Sequence, residues 1–262
     1  MSKEKIFLIG PGIKTEFWLE FYDNVTKTNE CEIDIILVGH RRPDFDLPDN
    51  FKFVYSSESP TVCAQIAYEK AYELAKETDY IQNTPDDVLY SENHFDKIIK
   101  AYKTEEEKDP ENDLLMVGPA SYNGDERNVM ALFTSADHWD QKNRNAAIQR
   151  AGGTEEDLGS KLEGPCLLVG NFSTVKTSKA LGGINASFDA LYWDCDQVLI
   201  CHSMGGRVVV FEKDQVEPVV ERHQSNSRLY AIHGQQDYNR LCNLWDIRSH
   251  DGKTWSVTRK EE

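Results

Sequence analysis

No run of about 18 apolar residues occurs anywhere in this 262-residue chain, so the sequence offers no candidate for a membrane-spanning helix. The start, Met1-Ser2-Lys3-Glu4-Lys5, lacks the apolar core of a secretory signal. Together these two absences predict a soluble, cytoplasmic protein. Basic residues are scarce: 29 Lys and Arg stand against 45 Asp and Glu, for a formal charge of −16. That balance repels nucleic acid and anionic membrane surfaces, and the one compact basic group is His40-Arg41-Arg42. The six cysteines form no CxxC pair and have no histidine ladder, which predicts free, mostly buried thiols rather than zinc ligands or a disulfide frame. Internal repeats, low-complexity tracts and a linker are missing as well. A single α/β domain large enough to bury a core is the expectation.

What is present begins with alternation of strand and helix. Ile6 to Ile9 is an apolar run that ends at Gly10-Pro11-Gly12, and Phe17, Trp18, Phe21, Tyr22 and Val25 follow at helical spacing. Ile33 to Val38 and Phe51 to Tyr55 read as the second and third strands. Ser59-Pro60 opens a helix whose apolar stripe is Val62, Ile66, Ala67, Ala71, Leu74 and Ala75. A fourth strand ends in Thr84-Pro85-Asp86-Asp87. This order predicts a mostly parallel, Rossmann-like half with its ligand at the carboxyl ends of the strands. Farther on, Ser91 to Tyr102 reads as a helix, Thr104 to Asp113 as a charged loop, Leu114 to Val117 as a strand, and Ala136 to Gly159 as a long polar loop of the kind that forms lids.

Two constellations carry chemistry. Asp86 and Asp87 are hard oxygen ligands at a strand end, suited to a divalent metal carrying a diphosphate, although Pro-Asp-Asp is also ordinary turn chemistry. Tyr192-Trp193-Asp194-Cys195-Asp196 places two carboxylates beside aromatic rings at the start of an apolar helix. There Asp194 is either a helix cap or a general base for an acceptor hydroxyl. The aromatic rings of Tyr192, Trp193 and Trp139 are candidate ligand-stacking surfaces or core. A rival reading takes Ser203, in Cys201-His202-Ser203-Met204-Gly205-Gly206, as a hydrolase nucleophile with Asp237 and His250 as its partners. Against it, the strand-like Arg207 to Phe211 stands where an elbow needs a helix, and only 59 residues follow Ser203.

In the order of these features the chain resembles the GT-A glycosyltransferases, in particular the family 2 type of nucleotide-sugar enzyme, over about residues 5 to 225. Thr84-Pro85-Asp86-Asp87 matches the family's metal motif. Gly182-Gly183, then Trp193-Asp194-Cys195-Asp196, then Gly205-Gly206 match its downstream features, and Val219-Val220-Glu221-Arg222-His223 matches its strand-end histidine. The resemblance implies a GT-A fold with a mixed central sheet, Mn2+ or Mg2+ held by Asp86, Asp87 and His223, and Asp194 as catalytic base. It implies a UDP- or GDP-sugar donor bound by Gly10, Pro11, Gly12 and Gln65, and a glycan or other hydroxyl acceptor near Tyr192, Trp193 and Asp196, attacked with inversion. His40 and Arg41, like Arg42, either contact phosphate or belong to a solvated loop. Thr84 stands where the family has its first acid, Trp193 where it has a Glu, and Gly39-His40 where it has an acidic pair. A catalytically silent nucleotide-sugar binder on the same scaffold is the other alternative. The expected organisation is a catalytic unit over 1–230, with a nucleotide-binding half to about residue 118 and an acceptor half over 119–230. A 231–262 extension would pack on it through Tyr238, Trp245 and Trp255.

Overall fold

A computed structural model describes residues 3–119, 122–123, 126–127, 170–217, 220–221, 226–249 and 255–260. In chain order these form β1 (Lys5–Pro11), α1 (Trp18–Lys27), β2 (Glu32–Gly39), β3 (Phe51–Tyr55), α2 (Pro60–Leu74), β4 (Tyr80–Asn83), β5 (Val88–Leu89), α3 (His94–Glu106) and β6 (Leu115–Pro119). There follow β7 (Tyr122–Asn123), β8 (Glu126–Arg127), β9 (Phe172–Thr174), α4 (Val175–Ala180), α5 (Trp193–Ser203), β10 (Arg207–Phe211), β11 (Val220–Glu221), α6 (Asn226–Leu244), β12 (Trp245–Ser249) and β13 (Trp255–Arg259).

A seven-stranded sheet runs β10-β6-β9-β4-β1-β2-β3. β1 is parallel to both β2 and β4, and β2 to β3, while β9 is antiparallel to β4 and β6. The mixed sheet expected of a GT-A architecture is therefore present. Period-two alternation along β1 explains its two-sided burial: Ile6 and Leu8 enter one core with Trp18, Phe21 and Val25 of α1 and Phe95, Ile98 and Tyr102 of α3. Phe7 and Ile9 enter the other, with Ala64, Ala67 and Ala71 of α2 and Trp193 and Leu199 of α5. The chain builds β1, β2 and β3 outward and then returns to the other side of β1 with β4, so β1 and β4 flank a topological switch point. Ligands of open α/β sheets bind outside the carboxyl ends of the strands at such a point.

Local chemistry explains the helix starts. Ser59 caps α2 by accepting from Val62 N at 3.4 Å, with Pro60 in the first turn. Helix α3 continues to Glu106, three residues into the expected charged loop, because Tyr102 still faces the core at its last turn but one. At the far end, α6 runs through residue 230 and buries Tyr238 and Leu241, and Trp245 is buried behind it. Cys31, Cys63, Cys195, Cys201 and Cys242 are free thiols. Among the described residues, no helix is long and apolar enough to cross a membrane.

Candidate active site

The carboxyl ends of β1, β2 and β4 are drawn together by backbone approach. A Cβ on Gly10 would lie 2.3 Å from Thr84 O, and one on Gly39 would lie 2.0 Å from Gly12 O, so only glycine fits at these two strand ends. Gly12 N donates to Val38 O at 2.9 Å and Thr84 N to Ile9 O at 2.8 Å, which closes the Gly10-Pro11-Gly12 loop against both neighbours.

Asp86 and Asp87 follow β4 at this end, each only 5% exposed. Asp86 Oδ2 accepts from Ile13 N (2.7 Å), Lys14 N (2.6 Å) and Trp18 Nε1 (3.1 Å). Asp87 Oδ2 is ion-paired with the Lys14 ammonium. Burial pushes the Asp86 carboxyl upward, and the donors from Lys14, Trp18 and Ile13 pull it back. Oδ1 of each carboxylate has no hydrogen-bond partner among the described residues and remains open to a further ligand. No group of three His, Cys, Asp or Glu side chains converges among the described residues. His223 lies outside them, as do Trp139 and His250. The strand leading toward His223 is described, however: β11 pairs antiparallel with β5, Val220 opposite Leu89 and Glu221 opposite Val88, directly beyond Asp87.

Asp194 lies in the first turn of α5, half-buried, behind Tyr192 in the left-handed region at φ 64°. The cap residue is Tyr192 rather than Asp194, and it makes no side-chain cap bond; Asp194 Oδ1 accepts from Cys195 N at 2.9 Å. Burial pushes its carboxyl upward. The start of α5 is tied to β4 by Asn171. Asn83 N donates to Asn171 O (3.4 Å), and Asn171 Nδ2 donates to Asp194 O (2.9 Å) and Gln197 Oε1 (3.0 Å).

Several expected site residues are placed elsewhere. The Trp193 ring is 6% exposed and packed in the α2–α5 core, so it offers no stacking face. Asp196 is buried and accepts from Trp245 Nε1 (2.6 Å) and Asn185 Nδ2 (3.3 Å), which makes it the anchor of the β12 segment rather than an acceptor contact. Tyr192 stays half-buried, its ring 5.8 Å from that of Tyr238. Gln65 donates to Glu69 on the outer side of α2 at 3.0 Å. His40 and Arg41 are exposed beyond β2, Arg41 paired with Glu16 at 3.1 Å, and Arg42 lies 5.0 Å from the Tyr55 ring.

The hydrolase reading fails on geometry. Ser203 is the last residue of α5, its Oγ donates to Ile200 O at 2.9 Å, and the chain then enters β10. The order is helix, turn, strand, the reverse of a nucleophile elbow. Asp237 is fully buried and accepts from the backbone N–H groups of Asp189, Ala190 and Leu191, each at 2.9 Å, so it organises the loop before α5.

Three residues had no local signature: Lys14, Asn171 and Asp237. Their partners are distant in sequence, so no local pattern marks them.

No protein-family model matches the sequence, and no curated protein matches it. Solved structures do. Glucosyl-3-phosphoglycerate synthase from Mycobacterium tuberculosis, in complex with Mn2+ and UDP-glucose, aligns at 10% identity over 99% of this chain and 87% of that one, with a TM-score of 0.51. A structure described as a mycobacterial protein aligns at 10% identity over 99% and 84%, with a TM-score of 0.50. Galactosyltransferase LgtC, with donor and acceptor sugar analogues, overlaps more loosely, at 12% identity over 90% and 83% and a TM-score of 0.41. At these identities the likeness is one of fold: a GT-A-type mixed α/β domain with its switch point at β1 and β4.

Proposed function

We propose that the chain is a glycosyltransferase that moves a sugar from a UDP- or GDP-sugar to an acceptor hydroxyl, with inversion. The observation that carries this reading is the gathering of three separate segments at the carboxyl end of β4. They are the Asp86–Asp87 turn, the start of α5 with Asp194, and β11 on its way to His223. A mycobacterial enzyme of the same fold is seen with Mn2+ and UDP-glucose, which supports the donor class.

In this reading Asp86, Asp87 and His223 would hold Mn2+ or Mg2+, which would supply positive charge to offset that building on the departing diphosphate. The chain's own groups do the rest. The Gly10-Pro11-Gly12 loop lies against the nucleoside, and its glycines keep that edge of the sheet clear of side chains. Lys14 adds a positive charge beside Asp87. Asp194 accepts the proton of the acceptor hydroxyl as the new glycosidic bond forms on the face opposite the leaving group. Burial raises the affinity of its carboxylate for a proton, which makes it a stronger base than an ordinary aspartate.

A panel of UDP- and GDP-sugars with Mn2+, assayed for nucleotide release with and without sugar acceptors, tests the proposal. Turnover of at least one donor is expected. Asp194→Asn should lower turnover by about 10²–10⁴-fold and keep nucleotide binding, whereas Asp86→Asn should weaken Mn2+-supported nucleotide binding in calorimetry. Binding without turnover across the panel would instead establish the silent binder.

A further inference from the structure

We propose that Asn171 is a positioning residue for the base: it holds the first turn of α5, and with it Asp194, in register with the carboxyl end of β4. This inference rests on the reading of Asp194 as base. Asn171 is 3% exposed and sits immediately before β9, between the two halves of the site. Its carbonyl receives Asn83 N, three residues before Asp86, so its backbone is fixed to the strand that carries the acidic turn.

The side chain faces the other way and uses both amide hydrogens. One goes to Asp194 O at 2.9 Å and the other to Gln197 Oε1 at 3.0 Å, one helical turn along α5. Because Asp194 O is a carbonyl, the atom facing it must be the Asn171 nitrogen, which settles the orientation of the amide. Gln197 is fixed in turn: its Nε2 donates to Gly183 O at 3.0 Å, and its Oε1 also receives Tyr68 OH at 3.3 Å. All the side chains of this network are buried.

Helix α5 lacks a side-chain cap bond and starts from a left-handed tyrosine, so its first turn has little local definition. The buried network supplies that definition from outside the helix. Asn171 touches neither donor nor acceptor in this account. It acts through Asp194, by setting the distance between the group that takes the proton and the turn that holds the diphosphate.

The test uses the full chain and the donor of the panel that turns over, with UDP-glucose and Mn2+ tried first. Asn171→Ala should lower kcat by roughly 10²-fold, the cost of about a 1 Å misplacement of a catalytic group, with the calorimetric Kd for UDP and Mn2+ unchanged. Amide hydrogen exchange at Cys195 and Asp196 should quicken in the same variant. The decisive readout is the double variant. If Asn171 works through Asp194, N171A/D194N is no slower than D194N alone. Should N171A fail to fold, Gln197→Met, which keeps the volume and removes the second acceptor of Asn171, carries the same cycle.

Wild-type kcat in N171A alongside a strongly slowed D194N would overturn the proposal. So would losses that multiply in the double variant, since they would show Asn171 acting independently of the base. Full activity of D194N would instead overturn the assignment of Asp194 as base.

Discussion

Asp86 is asked to do two things, and a pair of substitutions separates them. Its Oδ2 accepts from two backbone N–H groups and the Trp18 indole, and so fixes the loop between β1 and α1. Asp86→Ala leaves all three donors without a protein acceptor. A stranded donor costs about 1–3 kcal/mol. Water can reach the two partly buried backbone groups, so about 1 kcal/mol each is reasonable there, and about 2 kcal/mol for the buried indole. The sum, about 4 kcal/mol, is a large part of the 5–15 kcal/mol that holds a typical domain together. Asp86→Asn behaves differently. Its amide oxygen can still face the three donors, and neutralising the group removes the desolvation cost that burial imposes on the charge. A loss of about 1 kcal/mol is expected, near the net value of one hydrogen bond. Urea unfolding followed by tryptophan fluorescence measures both. Asp86→Ala within about 1 kcal/mol of wild type would refute the anchoring role, since a single net hydrogen bond is already worth that much.

Four further outcomes follow from the same geometry. Lys14→Met should destabilise the fold by leaving the Asp87 carboxylate unpaired in a nearly closed site, and Asp87→Asn in the same chain should restore most of the loss, read as the coupling in a double-mutant cycle. His94, buried against Tyr90 and Phe95 with Lys97 and Glu217 nearby, is pushed down to about 4 by burial. Its stability contribution is present above the ordinary histidine value and is lost as pH falls from 6.5 toward about 4, by about 2 kcal/mol at pH 5; His94→Gln should flatten that part of the denaturation profile. Asp237→Ala orphans the amides of Asp189, Ala190 and Leu191, so thermal unfolding should show a Tm lower by several degrees, with kcat falling because that loop leads into α5. The acid limb of kcat should lie above the usual carboxylate range near 4, because Asp194 must be ionised and its burial raises its pKa; a limb at the ordinary value would contradict the base assignment.

The elements that sequence reading reached were those whose signal is local. The apolar run Ile6 to Ile9, the Trp18-Phe21-Val25 spacing and the Ser59-Pro60 start each encode one element, and each is where the pattern puts it. The same is true of the turn carrying Asp86 and Asp87. Burial of single side chains was harder. Trp193 and Asp196 sit in a motif that invites a functional role, yet one packs in a core and the other anchors Trp245, a residue 49 positions away. Ser203 resembles an elbow in sequence, and the strand-like residues after it already argue against one; the helix-then-strand order and its Oγ bond to Ile200 O bear that out. Asn171 was beyond reach because everything that defines it comes from β4 and α5, and an isolated buried asparagine has no period or spacing to betray it.

The central claim is that a nucleoside diphosphate and its cation lie over the carboxyl ends of β1 and β4. Anomalous scattering from a crystal soaked with Mn2+ and UDP, or GDP if the donor panel selects it, tests this most directly. The account predicts a manganese peak in contact with Oδ1 of Asp86 and Oδ1 of Asp87, bridging to the diphosphate, with His223 beside it. A nucleotide bound away from this edge, or a diphosphate seated there with Lys14 still on Asp87 and no manganese peak, would contradict it.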